Sequence, residues 1–279
     1  MSYGPELVVL YEIVPYIRNL PLNNETIRIA VSDYCQGGER KYQIIKKYGK
    51  IEDWNTSKVT AMNELFQFPH YFNEDISKWD VSKVTDMTQM FCRAVSFNQN
   101  IGVWNTSNVS TMDCMFLGAE RFNQNIGEWD TSNVTKMRSM FFDAISFNQP
   151  IGKWNTSSVT KIYSMFYCAK NFNQDISGWD TSSVTTMEYM FCDAIRFNQD
   201  ISGWDTSSGN NMDNMFNFAA IFDQPIGRWN TSNVTNMDIM FHSAKDFNQS
   251  IRDWNTSNVT SRLGMFGRII YRQGRMCLF

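Results

Sequence analysis

Apolar and polar positions alternate along this chain with a period of 25 residues, kept without an insertion or deletion over most of its length. One copy, Phe172 to Arg196, reads FNQDISGWDTSSVTTMEYMFCDAIR. In its second half Val184, Met187, Met190, Phe191 and Ala194 fall at offsets that place them on one face of a short helix. Ser182 stands just ahead of that face as a helix cap, with Thr181 and Asp180 as further candidates. In the first half Phe172, Gln174 and Ile176 alternate like a strand until Trp179 breaks the period. A strand of three or four residues is predicted around Gln174–Ile176, with a bend at Ser177-Gly178.

A fixed period of this length is the signature of stacked coils. Nine isoleucines from Ile51 to Ile251 and nine phenylalanines from Phe66 to Phe266 keep the phase. So do all nine tryptophans: Trp54, Trp79, Trp104, Trp129, Trp154, Trp179, Trp204, Trp229 and Trp254. They are predicted to form the structural core of the repeat. The expected fold is an α/β solenoid, a right-handed, leucine-rich-repeat-like stack of nine 25-residue coils with one short parallel strand and one short helix per coil. A polar position is equally regular: Asn73, Asn98, Asn123, Asn148, Asn173, Asn198 and Asn248, with Asp223 as substitute. Buried amides need partners, so this ladder is read as structural, pairing with backbone left free at the turns, ahead of a row of ligand-binding amides.

Two departures stand out. Gly209 replaces the expected Val, which predicts the weakest helix in the seventh coil, and Arg262 replaces the expected Met in the ninth, as a terminal coil turning polar.

Residues 1–50 lack the repeat and read as a mainly helical N-terminal cap, with a separate partner-binding module as the alternative. A helical stripe runs through Ile27, Ile29, Ala30 and Tyr34 with Asn24 as cap, Gly37-Gly38 breaks it, and Lys41–Tyr48 adds another turn or two. Glu6–Leu20 is too polar and too interrupted for a membrane span or a secretory core. Residues 51–266 are the solenoid, and 267–279 form a C-terminal cap or tail, or a docking peptide.

Charge and chemistry narrow the function. Residues 51–261 carry 14 Lys/Arg against 23 Asp/Glu, an acidic body that argues against nucleic acid. The six cysteines sit at phases too far apart to bridge, so free thiols in a reducing compartment are expected. His70 and His242, at different phases, build no catalytic set, and no phosphate-cradling motif occurs. The partial row Asp175 and Asp200, broken by Pro150 and Pro225, is a poor calcium site. A Thr-Ser ice-binding face is disfavoured because adjacent residues of an extended segment point oppositely. No catalytic, cofactor or metal residue is expected, and the chain is read as a non-enzyme.

The pattern F-N-Q-D-I-S-x-W-D-T-S-x-V-T-x-M-x-x-M-F-x-x-A resembles the repeat of BspA-type leucine-rich-like surface proteins, noted in mycoplasma lipoproteins and found in bacteria, protists and giant DNA viruses. The likeness spans about residues 51–266. Thr26–Gly49, leading into Lys50-Ile51-Glu52-Asp53-Trp54, looks similar to versions encoded by giant viruses. The resemblance implies a non-catalytic scaffold that binds other proteins, capsid or host, through variable positions such as Lys153, Glu188 and Arg228. It implies a virus-encoded structural or virion-associated component in the virion or host cytoplasm, with a cell-surface adhesin or host-interaction module as alternative. No transmembrane segment is expected.

Overall fold

In the computed structural model of the chain, residues 20–67 and 70–267 are described. The expectations for residues 6–19 and for the tail beyond Gly267 lie outside them. Two helices open the described chain, α1 (Asn24–Gln36) and α2 (Gly38–Tyr48). The cap of α1 is Asn23, not Asn24: its side chain accepts from the Glu25 and Thr26 N–H groups, and Thr26 returns the bond. Gly37, at φ 74°, makes the break, in a left-handed conformation that favours glycine. Ile27, Ala30, Val31 and Tyr34 are buried, whereas Ile29 faces solvent.

The nine repeats stack coil upon coil (coil one carries Trp54, coil nine Trp254), but strand-plus-helix coils are not seen. Among the described residues of the stack no strand and no α-helix forms. The repeats are joined by eight isolated parallel bridges in 25-residue register, from Ala61–Asp86 to Asn236–Ser261. The bridging residue of coil six is Thr186, inside the predicted helix, and Gln174–Ile176 makes no bridge. The α/β, leucine-rich-repeat-like expectation is therefore corrected to a repeat stack of turns.

The reason is where the amides go. Each coil is a succession of turns closed three residues back: Val184 to Thr181, Met190 to Met187, Cys192 to Tyr189 and Ala194 to Phe191. The intervening N–H groups of Met187, Tyr189, Phe191 and Asp193 instead reach carbonyls of the next coil, at Asn211, Asp213, Met215 and Asn217, over 2.7–3.0 Å. Tyr189 and Asp193 adopt φ of 56° and 55°, which stops a helix each time. Left-handed non-glycine residues cost about 1–2 kcal/mol each. Here each one redirects its own N–H into the neighbouring coil, so the strain is met by a backbone bond that an isolated short helix would leave unmade. Turns of three residues also point every third side chain inward, which is why the apolar spacing imitates a helix.

The capping role assigned to Ser182 belongs to a different motif. Asp180 accepts from the Ser182 N–H at 3.0 Å and its hydroxyl at 2.6 Å, closing a local turn. Thr181 donates to the Asp205 carbonyl of the next coil at 2.8 Å. Gly209 leaves the backbone of coil seven unchanged: its N–H closes on Thr206 O at 3.1 Å as in every other coil, so the weak helix expected there has no counterpart.

Three aromatic columns run through the core. Successive tryptophans from Trp104 to Trp204 lie 6.3–6.5 Å apart with nearly parallel rings. The Phe166 column stacks at 5.7 Å and the Phe172 column at 6.0–6.1 Å, and the two meet at 3.9 Å. At about 150–250 Å² and 25 cal/mol per Å², each buried ring contributes roughly 4–6 kcal/mol before entropy.

Helix α1 meets the exposed ladder of coil one. Asn24 accepts from the Thr60 and Ala61 N–H groups at 2.8 and 3.2 Å, where later coils use a backbone carbonyl such as Thr60 O for Thr85 N–H. Arg28 donates to the Asn63 carbonyl at 2.7 Å, and Trp54 packs edge-on against Tyr34.

Candidate interaction face

Each tryptophan is held by its one polar atom. Trp179 Nε1 donates to Ile151 O at 3.0 Å, and the same bond to the isoleucine 28 residues earlier recurs from Trp79 to Trp254. Trp54, with no earlier coil, uses Gly49 O at 3.2 Å. The asparagines form a second internal column. Asn173 Oδ1 accepts the Asn198 N–H and the Gln199 amide, both at 2.9 Å, and Asn73, Asn98, Asn123 and Asn148 take the next coil's N–H likewise. Asn198 serves Asp223, which in turn serves Asn248. Both columns are spent on holding coil to coil.

The carboxylates Asp175 and Asp200 accept from the Ser177 and Ser202 N–H groups at 2.9 Å; the Ser177 N–H and then its hydroxyl hold Asp175, and the Ser202 hydroxyl and then its N–H hold Asp200, below the usual carboxylate range. Among the described residues no group of three or more His, Cys, Asp or Glu side chains is placed to hold a metal ion. His242 Nδ1 lies 3.1 Å from Ser243 Oγ. His70 lines a cleft of about 440 Å³ with Tyr34, Cys35, Lys41, Tyr71 and Glu74. Its groups are already engaged: His70 Nδ1 with Arg93 O at 2.9 Å, Lys41 with Glu74 at 3.5 Å. Burial pushes the Cys35 thiol up to about 11, far from a reactive thiolate. Cys35, Cys92, Cys114, Cys168 and Cys192 are free thiols, and Cys277 lies outside the described residues.

The nine copies in one chain show which positions the stack needs and which it leaves open. Trp, Ile and Phe columns are constant, whereas two rows on the bridged side vary in size and charge along the stack. The bridge row runs Ala61, Asp86, Thr111, Lys136, Lys161, Thr186, Asn211, Asn236 and Ser261. Two residues on, the outer row runs Asn63, Thr88, Asp113, Arg138, Tyr163, Glu188, Asp213, Asp238 and Leu263. Between them lies a buried residue such as Met137, Ile162 or Met187, so the two rows share the outward face. They touch across coils: Asn211 Nδ2 donates to Glu188, and Ser261 Oγ to Asp238 at 2.6 Å.

Charge is segregated on this ladder face. Lys136 and Lys161 are exposed beside Arg138, whose Nε lies 2.9 Å from Asp113 and whose Nη1 bonds the Tyr163 hydroxyl at 3.2 Å. Further along, Glu188, Asp213 and Asp238 follow one another with no cation paired to them among the described residues. Burial, then the Asp213 charge, raises Glu188; burial, and more weakly Asp238, raises Asp213. Phe142 and Tyr167 stack at 4.5 Å along its flank, with Tyr189 a further 6.0 Å away.

Of the three variable positions singled out from sequence, only Glu188 belongs to this face. Lys153 pairs with Glu128 at 2.8 Å on another row, where Arg228 is also exposed. The missed residues carried a signal, because their phases vary while their neighbours do not, but a helical reading scattered them around a cylinder. A second missed signal was Gly118 and Gly264, which occupy the left-handed phases.

No helix among the described residues is long and apolar enough to cross a membrane. No curated protein and no solved structure matches the chain. The family described as mycoplasma protein of unknown function, DUF285, matches residues 39–130, 99–194 and 170–273 in tandem. Those three overlapping matches cover most of the 25-residue register, and the chain belongs to that family.

Proposed function

We propose that this protein is a non-catalytic repeat scaffold that binds another protein through its ladder face. The observation that carries the reading is the contrast between constant columns consumed inside the stack and adjacent rows that vary, project outward and hold unpaired charge. Rigid framework below and free choice above is how solenoids present extended binding surfaces. The concrete form we favour is a virus-encoded structural or virion-associated component, supported by the likeness of Thr26–Trp54 to viral versions of the repeat. Affinity capture from the native source, with quantitative mass spectrometry of purified particles, tests it. Recovery at fixed stoichiometry with capsid proteins supports the particle role, and particles devoid of the chain refute it. The likeness of the repeat to that of BspA-type surface proteins favours a second reading, an adhesin or host-interaction module at a cell surface. Labelling of intact cells with an antibody to the stack distinguishes the two.

A further inference from the structure

We infer that the acidic half of the ladder face is covered by this chain's own tail, residues 268–279, with Arg268, Arg272 and Arg275 laid on Asp238, Asp213 and Glu188. The tail carries these three arginines and no acid, among Ile269, Ile270, Tyr271, Leu278 and Phe279. The surface is its complement. Glu188, Asp213 and Asp238 are half-buried, follow one another at one per coil and have no cation paired to them among the described residues. At the same end of the stack Phe218, Leu263 and Phe266 are exposed, apolar ground for a segment that is both basic and apolar.

The point of departure and the spacing set the direction. Gly267 falls in the phase of Phe142, Tyr167 and His242, on the flank of the ladder face, and the His242 ring of coil eight lies where a Cβ on Gly267 would strike it. Asp238 accepts the Leu263 N–H, four residues before Gly267, so the chain leaves coil nine at one end of the acidic row. Along that row Asp238 and Glu188 are two coils apart, about 10 Å at about 4.8 Å per coil. Arginines seven residues apart are separated by about 10.5 Å along a helix axis, against more than about 20 Å in an extended chain. Spacings of four and three residues keep all three arginines on one helical face, with Ile269 and Met276 to one side and Tyr271 and Leu278 to the other. Running back from coil nine, that face meets Asp238, Asp213 and Glu188 in turn. Beyond Glu188 the cations Lys161, Arg138 and Lys136 oppose further advance.

Each pair is exposed and weak by itself, but the tether gives the tail a local concentration of millimolar order, so modest intrinsic affinity holds it in place. The guanidiniums stay in water and offset the repulsion between the acids, leaving in place the burial that raises Glu188 and Asp213. A foreign protein then has to displace the tail or dock on the cationic coils four and five. That consequence, unlike the docking itself, rests on the reading of the ladder face as a partner surface.

Zero-length carbodiimide coupling of the full-chain R268K/R272K/R275K variant, which keeps the charges and supplies amines, tests this. Mass spectrometry of the monomer should find amide links from position 268 to Asp238, 272 to Asp213 and 275 to Glu188. Raising salt from about 0.05 to 0.5 M should cut their yield at least about fivefold. In a second measurement, a fluorescent synthetic peptide of residues 268–279 should bind full-chain R268E/R272E/R275E at least about tenfold more tightly than wild type, whose own tail competes. Adding E188Q/D213N to that variant should weaken the peptide at least about tenfold. Should R268E/R272E/R275E lose its fold, R268Q/R272Q/R275Q takes its place. Links confined to other carboxylates, as for a tail folded over the open end of coil nine, overturn the inference. So do links found only between isotopically distinct chains, or a peptide that binds neither protein or both alike. Links to the three acids, with no foreign protein captured by the face, would uphold the tail and sink the scaffold reading. A captured protein lost in K136E/K161E, with no such links, would sink the tail alone.

Discussion

Gly209 offers a direct test of the stack's internal logic. In the other coils its position is held by valine, and Val59, Val84, Val109, Val134, Val159, Val184 and Val234 are at most 1% exposed. Gly209 is itself buried, and a Cβ built on it would touch only Thr206 O, at 3.3 Å, with nothing else within 4 Å. The turn around it closes as in coil six, where Val184 N–H meets Thr181 O at 3.0 Å. A void thus sits between two valines of the same column, at a backbone conformation that accepts a side chain. Burying a valine side chain contributes about 1.5–3 kcal/mol. Restricting the unfolded chain by replacing glycine adds about 0.4–1 kcal/mol, and the tight approach to Thr206 O takes some of it back. Gly209→Val should therefore stabilise the protein by about 2–3 kcal/mol, or roughly 4–10 °C in Tm if unfolding is cooperative. Urea and thermal denaturation followed by circular dichroism and tryptophan fluorescence measure it. The reverse change in the adjacent coil, Val184→Gly, should cost about 2–4 kcal/mol. A destabilised or unaltered Gly209→Val, with Val184→Gly strongly destabilised, would refute the equivalence of the two coils.

Other substitutions probe the polar columns. Asn173→Ala strips the acceptor from the Asn198 N–H and the Gln199 amide and should cost about 1–3 kcal/mol, while Asn173→Asp, copying Asp223, should cost far less in the same denaturation assay. Trp179→Phe keeps the stack but loses the Nε1 bond to Ile151 O, with an expected loss of about 1–2 kcal/mol read from the urea midpoint. Asp180 is held below the usual carboxylate range by the Ser182 hydroxyl and N–H. Its folded pKa thus lies below its unfolded one, so its contribution is full above about pH 4 and is lost as pH falls through the depressed value. Asp180→Asn, which copies the turn made by Asn155, should match wild type at pH 7 and lose less stability than wild type between about pH 4 and 2 in an acid titration. Glu188 and Asp213 act with the opposite sign, being raised, so Glu188→Gln should raise stability at neutral pH and leave it unchanged below the unfolded carboxylate range.

The ladder face shows what kind of information a repeat hides. Lys136, Lys161, Glu188 and Asp213 stand at the seventh or ninth place after their tryptophans, so their phases were readable, but their common direction was not. Whether two residues two apart share a face depends on the backbone between them. An extended step through Met137 or Met187 puts them side by side, and a helix would have turned them apart. Likewise the asparagine column was legible as a phase, while its partners, an N–H 25 residues on and a glutamine amide 26 residues on, exist only once coils are stacked.

The amino-acid sequence alone determined the 25-residue register, the stack of nine copies and the identity of the core, because a period without insertions leaves apolar rings no other way to be buried together. The tertiary structure decided the path of the chain within each coil. Turns closed three residues back and helices place the same side chains inward, and local preference does not separate them. What separates them is the carbonyl of the next coil, 24 residues away, which takes the N–H groups that a short helix would leave without partners.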